Sequence, residues 1–319
     1  MHIPVLLDEV IASLLIDQQG SYVDCTLGGG GHLERLLEHL KAGARVLAID
    51  KDVAILEQSR QRLQSPNITF VHGDFRDLKE ILKQEGILEV DGILLDLGVS
   101  SFQLDMPERG FSFHEDADLD MRMNQEQDLK AWEIINRYPE KEIAQILFDF
   151  GEERYSRRIA VAITKYRKTE SIDSTLQLVE IIKAAVPAAY RREKHPARKS
   201  FQALRIAVNS ELEALREVLP QALEALNVGG RLCVITFHSL EDRLVKEFMK
   251  NRAKDCICPS QSPICTCGHQ AELKIISRKP IVASKEECEA NPRARSAKLR
   301  VAEKLSGGTT IGKEELWGT

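Results

Sequence analysis

Asp24-Cys25-Thr26-Leu27-Gly28-Gly29-Gly30-Gly31-His32 follows the apolar pair Tyr22-Val23 and opens a helical pattern over 31–41. A strand that ends in a glycine-rich turn and feeds a helix is the opening of a βαβ unit. Working outward, the alternation continues. Strand-like runs occur at Arg45 to Asp50, Ile68 to His72 and Val90 to Leu97, with helical patterns at 52–64 and 76–85 between them. Val46-Leu47-Ala48-Ile49 and Ile93-Leu94-Leu95 are wholly apolar, as strands covered on both faces must be. The first hundred residues therefore predict right-handed crossovers and a parallel sheet.

After Gly98 no comparable strand occurs until Arg231-Leu232-Cys233-Val234-Ile235-Thr236-Phe237. That gap is too long for a structureless loop. Apolar residues at helical spacing fill it, over 129–137, 139–150, 152–168 and 174–186. The pattern predicts an inserted helical subdomain over 104–200, set between two halves of one α/β domain at 1–103 and 201–305. A helix over 201–217 leads back to the sheet, and Gly229-Gly230 is expected to turn the chain into the strand at 231–237. Leu273 to Ser277 and Lys298 to Ala302 are the last expected strands, and the Gly- and Thr-rich tail 306–319 is expected to be loosely ordered.

The 319 residues are 43% hydrophobic and 29% charged, an ordinary globular composition that excludes disordered and collagen-like classes. No run of about 18 apolar residues occurs, so a membrane span is not expected, and the N-terminus lacks the basic start of a secretory signal. A cytoplasmic protein is the expectation. A net charge of −5 excludes a uniformly basic coat. Charge is nevertheless segregated. Asp105 to Asp128 carries a net −6, whereas 154–168 holds six basic residues and no acid, and 183–205 carries a net +6. Two basic clusters in one insertion, followed by Arg293 and Arg295, point to a surface that tracks phosphates.

The glycine loop lets backbone approach a ligand closely, and the helix start offers N–H groups to an anionic group. The dinucleotide fingerprint G-x-G-x-x-G is not met, since Leu33 or Glu34 stands at its third position. Asp50 closes the second strand, where a carboxylate can accept hydrogen bonds from a ribose diol. His72-Gly73-Asp74-Phe75 can supply a polar contact and an apolar wall for an adenine. Asp24, Asp50, Asp74 and Asp96 all fall at the C-terminal strand edge, where open parallel sheets bind ligands. Four acids would repel a pyrophosphate but suit a cationic, hydroxyl-bearing cofactor such as S-adenosylmethionine.

These stretches resemble a known family. His2 to Leu7, Gly28 to His32, Ala48-Ile49-Asp50, Asp91 to Ser101, Glu108-Arg109-Gly110-Phe111-Ser112-Phe113, Leu119 to Met123, Thr236 to Arg243 and Asn291 to Ser296 look like the RsmH (MraW) family. That family comprises bacterial methyltransferases of cytosine N4 in the decoding centre of 16S rRNA. The resemblance implies a Rossmann-like class I methyltransferase sheet with an inserted helical subdomain. It places the cofactor contacts on Gly30, Gly31, His32, Asp50, Phe75, Asp96 and Gln103. The implied partner is 16S rRNA in the small ribosomal subunit, with no membrane association. A homodimer is a further expected arrangement.

A cytosine amino group is a weak nucleophile because its lone pair is delocalised into the ring. An acceptor must draw its protons while the nitrogen is aligned with the methyl group. Asp96 stands at the right strand end for that catalytic role. Phe111 and Phe113 are candidates for a platform against an unstacked base, or equally for core anchors. His238 is expected to be structural. Two other classes compete with this reading: an NAD-dependent oxidoreductase, and an RNA-binding module without turnover.

Cys256-x-Cys258 and Cys265-x-Cys267 crowd four of the seven cysteines into twelve residues, with His269 close behind. These four are candidate ligands of a structural zinc, although C-x-C is tighter than the usual C-x-x-C knuckle; reduced thiols are the alternative.

Overall fold

The computed structural model describes residues 4–193, 195–258 and 264–306. The chain divides into two compact units. The first comprises the N-terminal residues to Asp50, Gln58–Leu97 and the chain from Leu215 onward; the second comprises Lys51–Glu57 and Gly98–Ala214.

The first unit is built on β1 (Ser21–Asp24), β2 (Arg45–Asp50), β3 (Ile68–His72), β4 (Val90–Asp96), β5 (Leu226–Thr236), β6 (Leu273–Ile275) and β7 (Lys298–Lys304). They form one seven-stranded sheet in the order β3-β2-β1-β4-β5-β7-β6. The first five strands run parallel, β7 is antiparallel to β5, and β6 is antiparallel to β7. The parallel core is the one read from the alternation of strands and helices, and the whole is the Rossmann-like α/β fold that the resemblance implied. The order reverses direction between β1 and β4, which makes their C-terminal ends the topological switch point.

Helices in chain order are α1 (Leu7–Leu14), α2 (Gly31–Leu37), α3 (Val53–Arg62), α4 (Leu78–Gln84), α5 (Ser101–Asp105), α6 (Ala131–Arg137) and α7 (Glu140–Gly151). They continue as α8 (Ser156–Tyr166), α9 (Thr175–Ala185), α10 (Ala188–Glu193), α11 (Arg198–Asn209), α12 (Glu211–Ala225), α13 (Ser239–Arg252) and α14 (Lys285–Ala290). In the first unit the apolar strand positions Val23, Leu47, Ile49, Ile93, Leu95 and Val234 share a core with Leu78 and Leu82 of α4, Leu219 of α12 and Met249 of α13. Each such buried aliphatic side chain contributes roughly 1.5–3 kcal/mol. Near α1 the packing is close enough to require glycine in β4: a Cβ on Gly92 would lie 2.8 Å from Leu14 Cδ1 and from Tyr22 Cδ1.

The second unit is held by its own core. Ile134 and Ile135 of α6, Leu147 of α7, Ile159 and Ile163 of α8, Leu178 and Ile182 of α9, and Phe201 and Leu204 of α11 are all buried in it. The expected helices over 129–186 thus form, three of them trimmed and the one expected at 139–150 shifted by one residue.

Two sequence expectations are corrected. The helix expected over 201–217 is two helices, α11 and α12, broken at Ser210 in the left-handed region with φ 49. Buried Asn209 causes the break to be held: its Oδ1 accepts from Met123 N at 2.8 Å and its Nδ2 donates to Met121 O at 2.8 Å. Gly229-Gly230 does not precede the last parallel strand but lies within it. β5 pairs Leu226 with Val90 and then Arg231 with Gly92, so the extra residues bulge out, with Gly229 at φ 84. The last expected strands form over shorter and longer spans, and residues 307–319 of the expected tail lie outside the described residues. Among the described residues no helix is long and apolar enough to cross a membrane.

Candidate active site

The glycine loop is shaped by its neighbours in the first unit. Gly28 N donates to Asp50 Oδ2 at 2.8 Å, and Gly28 O accepts from Ser59 Oγ at 2.9 Å. Gly29 O accepts from Arg62 Nη2 at 2.6 Å. Gly30 has φ 69, and a Cβ there would lie 2.7 Å from Leu63 Cδ1, so the chain itself demands glycine. Gly31 packs against Pro4. Gly29 differs, because a Cβ on it would meet nothing within 4 Å. Its missing side chain leaves open space beside the backbone, as a cradle for a ligand does.

The acids at the strand ends have separate environments. Asp50 holds the glycine loop through Gly28 N. Asp74 caps the short turn after β3, accepting from Arg76 N at 3.0 Å and pairing with the Arg76 guanidinium at 3.3 Å. Phe75 is half-buried against the core. Asp24 is buried, and its Oδ1 accepts from Thr26 N at 3.1 Å. Burial pushes its carboxyl up to about 7, against the opposing charge of His32 and the Thr26 hydrogen bond.

Asp96 ends β4, and its N–H donates to Thr26 Oγ1 at 2.6 Å. Its Oδ2 lies 3.6 Å from His32 Nδ1. Its Oδ1 is buried with no hydrogen-bond partner. Burial first, and the charge of Glu241 second, push this carboxyl up to about 7. The side chain keeps 27% exposure, which tempers the burial effect and leaves the group within reach of a ligand. His32 is buried and places Nε2 2.9 Å from Val5 O. Burial lowers its pKa, and Nε2, facing a carbonyl oxygen, is the nitrogen that donates. Val5 is itself fixed nearby, since Leu6, at φ 55, donates its N–H to Glu287 Oε1 at 2.7 Å.

His238 is the N-cap of α13. Its Nδ1 accepts from Glu241 N at 3.4 Å while Glu241 accepts from Phe237 N at 2.9 Å, a reciprocal cap that makes this histidine structural.

In the second unit, Gln103 is 4% exposed and both ends of its carboxamide are engaged. Its oxygen accepts from Ser100 N at 3.2 Å, and its nitrogen donates to Asp52 Oδ2 at 2.8 Å. The same Asp52 oxygen accepts from Arg109 Nη2 at 2.8 Å, and that nitrogen also donates to Arg122 O and Met123 O. Phe111 is a core residue, 7% exposed. Phe113 is half-buried, stacked on His195 with ring centroids 4.6 Å apart and edge-on to Phe201 at 5.7 Å.

The basic clusters split by role. Arg167 donates to Ile135 O and Tyr138 O, closing the end of α6, and so is structural. Arg154, Arg157, Arg158, Arg191 and Arg192 are exposed. Arg154 lies over the Tyr155 ring at 4.7 Å and the Tyr190 ring at 5.0 Å. Tyr190 donates its hydroxyl to Glu153 at 2.7 Å. The result is a surface that sets an exposed guanidinium on two aromatic rings.

Sequence reading missed three buried charged residues. Asp52 and Arg109 form a buried ion pair, and Glu241 is a buried acid that bears on Asp96. For Glu241 a signal existed, because His238-Ser239-Leu240-Glu241 has the spacing of a capping box. Asp52 carried none.

The chain matches the MraW methylase family over residues 1–305. A ribosomal RNA small subunit methyltransferase H of Brevibacillus brevis is 54% identical over 307 residues, covering 95% of this chain and 98% of that one. The protein of the same name from Heliobacterium modesticaldum is 52% identical over 308 residues, covering 95% and 98%. Among solved structures, an rRNA methylase from Streptococcus thermophilus aligns at 12% identity with a TM-score of 0.42, covering 96% of this chain and 99% of that one.

Proposed function

The chain belongs to the MraW methylase family, and we propose from that premise that it methylates N4 of a decoding-centre cytosine in 16S rRNA of the small ribosomal subunit, with S-adenosylmethionine as donor. Family membership removes the oxidoreductase alternative. The relatives' name, ribosomal RNA small subunit methyltransferase H, supports the rRNA substrate.

The residues present fit the cofactor on two counts: open space where a Gly29 Cβ would stand, and acids rather than bases at the strand ends. S-adenosylmethionine, when bound, supplies an electrophilic methyl group on its sulfonium sulfur. Gly30, Gly31, His32, Asp50, Phe75, Asp96 and Gln103 are the proposed cofactor residues. Gly30 and Gly31 let the loop turn tightly into α2 against Leu63 and Pro4, Asp50 offers its carboxylate toward a ribose diol, and Phe75 gives an apolar wall. Gln103 keeps the chain after β4 in one conformation through Ser100 and Asp52.

Asp96 carries the reading. A carboxyl that is reachable, has an unpartnered buried oxygen and titrates near neutrality is suited to accept a hydrogen bond from an amino group and then take its proton. The exposed arginines of α8 and α10, with Arg154, form the proposed contact with rRNA phosphates. The division into a cofactor domain, 1–103 with 201–305, and a substrate-recognition insertion, 104–200, is part of the same proposal, as is action in the cytoplasm.

Calorimetric titration tests the cofactor assignment. Saturable binding of S-adenosylmethionine and none of NAD is expected. Binding of NAD alone would overturn the assignment.

A further inference from the structure

Four cysteines have no role in the methyl transfer proposed above. Cys256 and Cys258 follow the end of α13, and Cys265 and Cys267 precede β6. Their sulfurs nevertheless converge. Cys256 Sγ lies 3.4 Å from Cys265 Sγ and 3.7 Å from Cys267 Sγ, Cys265 and Cys267 are 3.5 Å apart, and all four lie within 4.8 Å of one another. No two are bonded. A disulfide would need about 2.05 Å. The edge of a zinc tetrathiolate tetrahedron, with Zn–S of about 2.3 Å, is about 3.8 Å.

Packing does not account for the cluster. Cys256 and Cys265 are exposed, whereas free cysteine normally serves a core. The neighbouring apolar side chains are not buried either: Ile257 is 61% and Ile264 74% exposed. At its base the excursion is tied by Glu272 N donating to Arg252 O at 2.8 Å and by the Arg252–Glu272 ion pair. Beyond that base, backbone N–H groups point at the sulfurs: Cys258 N donates to Cys256, Thr266 N to Cys258, and Ile257 N and His269 N to Cys267. Such donors orient thiolates and offset their charge in metal sites.

We propose that Cys256, Cys258, Cys265 and Cys267 hold one tetrahedral zinc ion, a structural site that closes the excursion between α13 and β6. Four protein sulfurs leave no open position for water, so the ion is a staple and not a catalyst. Binding exchanges four thiol protons, released to solvent, for one divalent cation. The assignment stands apart from the methyl-transfer reading, because its readout is bound metal.

The test is metal analysis of the full chain purified under reducing conditions without chelator, followed by cobalt substitution. About one zinc per chain, and a tetrahedral thiolate spectrum with cobalt, are expected. Cys256→Ser with Cys267→Ser should lose both while far-ultraviolet dichroism is retained, and Cys288→Ser on α14 should lose neither. Absence of zinc and of a cobalt spectrum in the wild-type chain would overturn the proposal. So would the four thiols being recovered as disulfides, or unchanged metal content in the double variant.

Discussion

His32 Nδ1 and Asp96 Oδ2 are 3.6 Å apart, with His32 Nε2 fixed on Val5 O on the other side of the ring. The pair joins the glycine loop to the end of β4 through two groups that burial shifts toward their neutral forms. A proton acceptor working near pH 7 needs such an environment.

Asp96→Asn should therefore lower kcat by about 10²-fold or more while the cofactor Kd changes by less than about tenfold. In the wild type, the active form is the carboxylate. Its pKa is raised to about 7, so kcat should rise with pH through neutrality and level off above it. A flat profile between about pH 5.5 and 8.5, measured by single-turnover methyl transfer, would remove Asp96 from the proton-accepting role.

Asp24 gives a stability prediction of definite sign. Its carboxyl is raised to about 7 in the folded chain, whereas it titrates near 3.9 when unfolded. The folded state then binds more protons between those values, so the stability this group contributes is present at low pH and lost as pH rises toward 7. Asp24→Asn should raise stability by roughly 1–3 kcal/mol at pH 8 and leave it little changed at pH 4, as read by urea unfolding. The Asn oxygen can still accept from Thr26 N.

The glycine loop separates folding from binding. Gly30→Ala places a Cβ against Leu63 at a positive φ and should destabilise by about 1–3 kcal/mol. Gly29→Ala meets no atom of the chain and should shift stability by less than about 0.5 kcal/mol, yet weaken S-adenosylmethionine binding at least tenfold. Thermal unfolding and titration calorimetry on the two variants distinguish these effects.

The parallel sheet and its central strands were readable because βαβ alternation and wholly apolar runs leave few alternatives, and Val46 to Ile49 and Ile93 to Leu95 are indeed buried. The strand-end acids were readable as positions but not as environments. Asp74 and Asp96 look alike in sequence, yet one caps a turn beside Arg76 and the other has an oxygen without a partner. Such an environment depends on residues distant in the chain, such as the charge of Glu241, and leaves no local pattern. The helix break at Ser210 was hidden for the same reason, since Asn209 is held by Met121 and Met123, far upstream. Among the basic residues, counting alone could not tell Arg167, which closes α6, from exposed Arg157 and Arg158.

That distinction predicts a salt effect. Replacing Arg154, Arg157 and Arg158 together with Gln should weaken RNA binding and reduce the slope of log K against log salt by about 2–3. Filter binding across a salt series measures it. An unchanged slope would place the RNA elsewhere.

Transfer of labelled methyl from S-adenosylmethionine to small ribosomal subunits from a strain lacking this gene, with nucleoside mass spectrometry of the product, tests the central claim most directly. One N4-methylated cytosine per subunit, formed at least about 10²-fold more slowly by Asp96→Asn, is the predicted result. Label on another nucleoside, or cofactor binding with no transfer to the subunits, would contradict it.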